Sequence, residues 1–162
     1  MFTVCSKSQV RDRVSKVDAT HVISMLDPDD HMYKPFGIRQ EDHLFLKFED
    51  CEFPDNPRAP RIEHCQRILD FGKKLPEDAV TVVHCFAGMC RSTASALALH
   101  VQKHGDLAAA RAWLAEDRPQ AMPNMLMANH FDKLLGCNGK FINLCDQINS
   151  HRILIVRSSP DW

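Results

Sequence analysis

The sequence predicts an α/β fold with a central, mostly parallel sheet flanked by helices. Segments of strand and helix character alternate along the chain. Ala79-Val80-Thr81-Val82-Val83 is a short apolar run of strand length, as in a strand buried on both faces of a parallel sheet. That run leads through a short loop into an Ala- and Leu-rich helical stretch, the order of a strand–helix unit.

The elements follow in order. Ser8 to Val17 places Val10, Val14 and Val17 at helical spacing. Thr20 to Leu26 is β-branched and apolar, and Asp27-Pro28-Asp29-Asp30 stops it, so it reads as a strand entering a turn. Leu44 to Phe48 is a second strand, followed by an acidic, proline-rich loop from Glu49 to Pro60. Arg61 to Leu75 fits a helix whose apolar face carries Ile62, Cys65, Ile68, Leu69 and Leu75. After the Ala79–Val83 strand, Ser92 to His104 is a helix closed by Gly105. Asp106 caps a helix over Leu107 to Glu116. Asn124 to Leu135 is helical and ends at Gly136, and Phe141 to Ile148 fits one more helix. Arg152 to Val156 fits either an edge strand or a docked tail.

Composition narrows the function. At 162 residues the chain has the size of one domain, read here as a single unit over 1–162. Hydrophobic residues make up 44% and charged residues 25%, ordinary for a globular protein. A net charge of −1 argues against a nucleic-acid partner. The apolar runs are too short for a membrane span, and the amino terminus lacks the pattern of a leader peptide. The seven cysteines form no CxxC pair, so free thiols in a reducing cytoplasm are the simplest reading.

Ligands of parallel sheets bind outside the carboxyl ends of the strands, here at His84-Cys85. The loop is Cys85-Phe86-Ala87-Gly88-Met89-Cys90-Arg91-Ser92. A short loop between a strand end and a helix start aims several N–H groups at one spot, which suits a phosphate. Gly88 permits a turn that a side chain hinders. Arg91 supplies a guanidinium for two phosphate oxygens. Cys85 feels the same donors, so its pKa is expected to fall, making it a nucleophile near neutral pH. No metal or other cofactor is expected, because the loop and Arg91 provide the neutralising charge.

His84-Cys85-x5-Arg91-Ser92 resembles the signature of the cysteine-dependent protein tyrosine phosphatases, and size and position resemble the dual-specificity-like branch. Asp50, just after the second strand, matches the place of the family's general acid, and Arg118-Pro119-x3-Pro123-Asn124 resembles the stretch after the signature helix. The resemblance covers roughly residues 20 to 135 and leaves the tail after Gly136 uncovered. It implies a phosphatase-like fold and a metal-independent phosphomonoester hydrolase acting on phosphotyrosine or on phosphoserine and phosphothreonine. Cys85 would form a phosphocysteine. Arg91 and the loop positions Phe86, Ala87, Gly88, Met89 and Cys90 would bind phosphate or sulfate. Ser92 would donate to the Cys85 sulfur, and His84 would brace the loop.

Asp50 is the first choice as general acid, with Asp55 next and Glu49 third; an acidic solvated loop is the plainer reading of all three. Asn124 either orders the loop or caps a helix. Cys90 and Cys51 are candidate disulfide partners for Cys85 under oxidation. Cys85-x4-Cys90-Arg91-Ser92 also resembles the low-molecular-weight tyrosine phosphatases, but the mid-chain position of the loop argues against them. Competing readings are a phosphate-binding pseudophosphatase, an inositol- or lipid-phosphate phosphatase, and a sulfur transferase. The uncharged loop side chains disfavour the inositol reading, and the Gly88/Arg91/Ser92 pattern disfavours the last.

Overall fold

A computed structural model describes residues 1–31 and 34–158, with side chains as far as Arg152. The elements are β1 (Phe2–Ser6), a 3-10 turn (Lys7–Gln9), α1 (Val10–Lys16), β2 (His21–Leu26), β3 (His43–Lys47), α2 (Ile62–Lys73), β4 (Thr81–Cys85), α3 (Arg91–His104), α4 (Leu107–Asp117), α5 (Met125–Leu135) and α6 (Lys140–Ser158). The four strands form one sheet in the order β1-β4-β2-β3. Every neighbouring pair is parallel, so the sheet is wholly rather than mostly parallel.

All of β4 and all of β2 are buried, as the apolar run of the central strand predicts. The run itself enters the ladder two residues late, at Thr81. Strand alternation then divides the side chains. Val4, Ile23, Val83 and Cys85 join the larger core with α2, α3, α5 and α6. Cys5, Val22 and Val82 pack on the other face with Val10 and Val14 of α1. Helix α3 is buried nearly all round, which suits its run of Ala, Ser and Leu.

Two elements differ from the sequence reading. Strand β1 was not foreseen: Phe2-Thr3-Val4-Cys5-Ser6 is too short to display an alternation, and only its pairing along β4, from Phe2↔Thr81 to Ser6↔Cys85, reveals it. The stretch 152–156, which on sequence fits a strand or a docked tail, is instead the last part of α6. A strand needs a neighbour for its hydrogen bonds, whereas a helix satisfies its own. The start of α6 is fixed by the buried Asp132 carboxylate, which accepts from Gly139 N at 2.8 Å and Phe141 N at 2.9 Å. The caps at Asp106 and Asn124 and the left-handed glycines 105 and 136 stand where the sequence places them.

Because all strands run the same way, their carboxyl ends share one edge of the sheet. Ser6, Leu26, Lys47 and Cys85 end there, and the segments that follow them enclose one site.

Candidate active site

The loop from Cys85 to Arg91 is held by its carbonyls. Phe86 O accepts from Lys7 N at 3.0 Å. Ala87 O and Gly88 O accept from the Arg118 guanidinium, from Nη2 at 3.1 Å and Nε at 2.8 Å. Met89 O accepts from Met122 N at 2.9 Å and from the Thr93 hydroxyl. Cys90 O accepts from Ala94 N at 3.1 Å, Asn124 N at 3.3 Å and Thr93 Oγ1 at 3.0 Å. Each carbonyl is therefore tied to the surrounding protein, while among the described residues the N–H groups of Ala87, Met89, Cys90 and Arg91 have no protein acceptor. This division of donors and acceptors is what an anion cradle requires.

Gly88 fixes the curvature. Its φ is +70°, and a Cβ there would stand 2.5 Å from both the carbonyl carbon and the oxygen of Cys5. Its N–H donates to Cys85 Sγ at 3.2 Å, and the Ser92 hydroxyl lies 3.2 Å from the same sulfur. Cys85 is fully buried at the base of the loop.

Arg91 opens α3 and is also buried. Its Nη1 donates to Asp27 Oδ1 at 2.6 Å and to Phe48 O at 2.6 Å. Its Nε is buried with no hydrogen-bond partner, and the nearest carboxylate to it is Asp50 Oδ2 at 3.8 Å. A guanidinium pinned at one nitrogen and unpaired at another is a ready anion clamp.

The three acidic candidates separate clearly. Asp50 reaches the loop: its Oδ1 accepts from Asn124 Nδ2 at 2.9 Å and its Oδ2 faces Arg91. Glu49 is engaged elsewhere, 2.7 Å from Arg58 Nε. Asp55 is exposed and has no hydrogen-bond or ion-pair partner among the described residues. Asn124 performs both of its expected tasks, since its Oδ1 also accepts from Met127 N at the start of α5.

No family model matches the chain, and no curated protein does. Solved structures do match. The human tyrosine phosphatase-like serine/threonine/tyrosine-interacting protein superposes with a TM-score of 0.64 at 22% identity, over 85% of this chain and 92% of that one. The PTP-2 phosphatase of Cydia pomonella gives 0.61 at 20% identity, over 83% of each chain. PTPMT1 in complex with PI(5)P gives 0.56 at 16% identity, over 92% of this chain and 90% of that one. The chain has the fold of the dual-specificity and tyrosine phosphatase-like domains.

Within this phosphatase-like fold the loop rests on a buried polar chain. His84 Nε2 lies 2.7 Å from Ser24 Oγ, which lies 2.7 Å from His43 Nε2. Burial pushes the His84 pKa down to about 4, so the ring is neutral at neutral pH. Burial, and then the Asp50 carboxylate, push the Cys90 thiol up to about 12. All seven cysteines are free thiols. The Cys51 sulfur accepts from Phe53 N and from Asn56 Nδ2, each at 3.4 Å, and so shapes the acidic loop. Among the described residues no cluster of three or more His, Cys, Asp and Glu side chains is placed to hold a metal ion. No described helix is long and apolar enough to cross a membrane.

The sequence reading missed Asp27, the Phe48 carbonyl and the Ser24–His43 chain. Asp27 carried a signal: it follows directly on a parallel strand, at the same sheet edge as Cys85. Arg118 belongs to a stretch that the resemblance marks, but its grip on the loop follows only from where α4 ends.

Proposed function

We propose that the chain is a metal-independent phosphomonoester hydrolase that works through a phosphocysteine. The observation that carries this reading is the loop in which every carbonyl from Phe86 to Cys90 is tied outward, around a sulfur that receives Gly88 N–H at 3.2 Å. A phosphate seated on the remaining N–H groups meets the sulfur from the open side of the loop, with the Arg91 Nε beside it.

In the first step the Cys85 thiolate attacks phosphorus in line. The sulfur–phosphorus bond forms as the ester phosphorus–oxygen bond breaks. The Asp50 carboxyl group gives its proton to the departing oxygen. In the second step the Asp50 carboxylate takes a proton from water, and that water's oxygen attacks phosphorus. The sulfur leaves as thiolate, eased by the Ser92 hydroxyl 3.2 Å away. Arg91 and the loop N–H groups hold the equatorial oxygens throughout. Phosphate and alcohol are the products.

The substrate is read as a phosphoprotein, with phosphotyrosine favoured. Phe86 of the loop, Phe53 of the acidic loop and Met122 beside Met89 are large apolar side chains left exposed. They offer an aryl ester an apolar rim. The free thiols suit a reducing cytoplasm.

The test is hydrolysis of p-nitrophenyl phosphate with EDTA present, comparing wild type with Cys85→Ser. EDTA-resistant turnover that Cys85→Ser abolishes is the expected result. Folded, reduced wild type that binds orthovanadate without turning over overturns the hydrolase reading and leaves a phosphate-binding module. Turnover lost to EDTA overturns the metal-free mechanism.

A further inference from the structure

Arg118 has a second side. Its Nε and Nη2 hold the loop carbonyls, yet the same residue lines a separate cavity of about 190 Å³ with Arg111, Leu114, Pro119, Ile148 and Arg152. His151 also lines it. Among the described residues no Asp or Glu lines it, and none of these cationic side chains has an ion-pair partner. Arg118 is only 8% exposed. Its polar partners are neutral: the two loop carbonyls and the amide oxygen of Gln120, which in its satisfied orientation lies 2.9 Å from Nη1. A guanidinium buried without a counter-charge favours an anion beside it. Arg118 is the link between the two: it lines the cavity and donates to the loop carbonyls, while none of residues 85–91 lines the cavity.

We infer that this cavity is a second anion site, for a small carboxylic acid with a compact apolar body, coupled to the phosphate loop through Arg118. Arg111, Arg152 and Arg118 supply donors for the carboxylate. Leu114, Pro119 and Ile148 supply apolar walls. The volume lies below the usual range of ligand pockets, which fits a small molecule and not a peptide. The inference rests on the proposed function only for its effect on turnover, because binding at the cavity needs no chemistry at Cys85.

The probe is benzoate, titrated calorimetrically into wild type, into wild type carrying one equivalent of orthovanadate, and into Arg152→Gln and Arg111→Gln. Saturable binding is expected with and without vanadate. Either substitution is expected to weaken it about tenfold or more, as for loss of a charged hydrogen bond. Saturating benzoate is also expected to shift KM for p-nitrophenyl phosphate in wild type and much less in Arg152→Gln. Absence of saturable binding overturns the inference. So does benzoate displaced by vanadate, which places it in the front loop, or binding indifferent to both substitutions. If the chain turns over no phosphoester, the calorimetry still decides the cavity.

Discussion

Replacing Gly88 with alanine probes the loop more sharply than replacing any residue that carries chemistry. The backbone there has φ +70°, and the new Cβ would lie 2.5 Å from Cys5 C and O and 2.6 Å from Ser6 N. These are backbone atoms of β1, locked into the ladder with β4, so no side chain can swing aside. The left-handed conformation costs about 1–2 kcal/mol for a residue with a Cβ. Overpacking of this kind costs about 1–3 kcal/mol more. The chain therefore either loses roughly 2–5 kcal/mol, a large part of a typical folding stability, or moves the loop away from β1. Reaching ordinary contact distance requires a shift on the order of 1 Å, which releases Gly88 N from the Cys85 sulfur. A displacement of that size costs roughly a hundredfold in rate. Urea unfolding and kcat/KM for p-nitrophenyl phosphate, measured on Gly88→Ala, read the two routes separately. A variant with wild-type stability and kcat/KM within about twofold of wild type, against the roughly hundredfold loss expected from misplacement, refutes the argument that β1 sets the loop's shape.

Asp50→Asn is expected to lower kcat/KM by about 10²- to 10⁴-fold. The loss should be greater for phenyl phosphate than for p-nitrophenyl phosphate, whose leaving group needs less protonation; a larger loss from Asp55→Asn reverses the assignment. Asp27→Ala removes the carboxylate 2.6 Å from Arg91 Nη1 and leaves Phe48 O as the hydrogen-bond acceptor of that nitrogen among the described residues. Orthovanadate inhibition should weaken about tenfold, and an unchanged inhibition constant would show that Arg91 is positioned without it. Acid should destabilise the fold through His84. Its pKa is about 4 when folded against about 6.5 in the unfolded chain, so its contribution is complete above pH 6.5 and fades as pH falls toward 4. Between pH 7 and pH 5 this amounts to about 2 kcal/mol in urea unfolding. His84→Asn should flatten that slope, and a variant that keeps the full slope assigns it to other histidines.

The fold was legible where one strand could be recognised by itself. β4 announces burial on both faces, and Gly88, Arg91 and Ser92 follow it closely enough to show a loop entering a helix. What the sequence concealed depends on contacts between distant segments. β1 has no pattern of its own and becomes a strand by pairing with β4. Asp27 reads as a turn former until the parallel register brings the ends of β2 and β4 together. Arg118 looks like part of a helix ending, and its bonds to Ala87 and Gly88 reflect the path of the chain after α3. The resemblance, together with the acidic loop after β3, narrowed the proposed acid to Asp50, Asp55 and Glu49. Their different surroundings emerge only in three dimensions, where Arg58 pairs with Glu49 and Asn124 donates to Asp50.

The placement of β1 also bears on when the molecule becomes competent. The first strand joins the sheet beside one that follows about eighty residues later, and the turn after it ties Lys7 N to Phe86 O. Closing so large a stretch of chain carries an entropic cost that nearby contacts do not. The helices can form early, but the rim around Cys85 waits for this distant docking. Anion binding should therefore appear in the last phase of refolding, after the helical signal has already recovered.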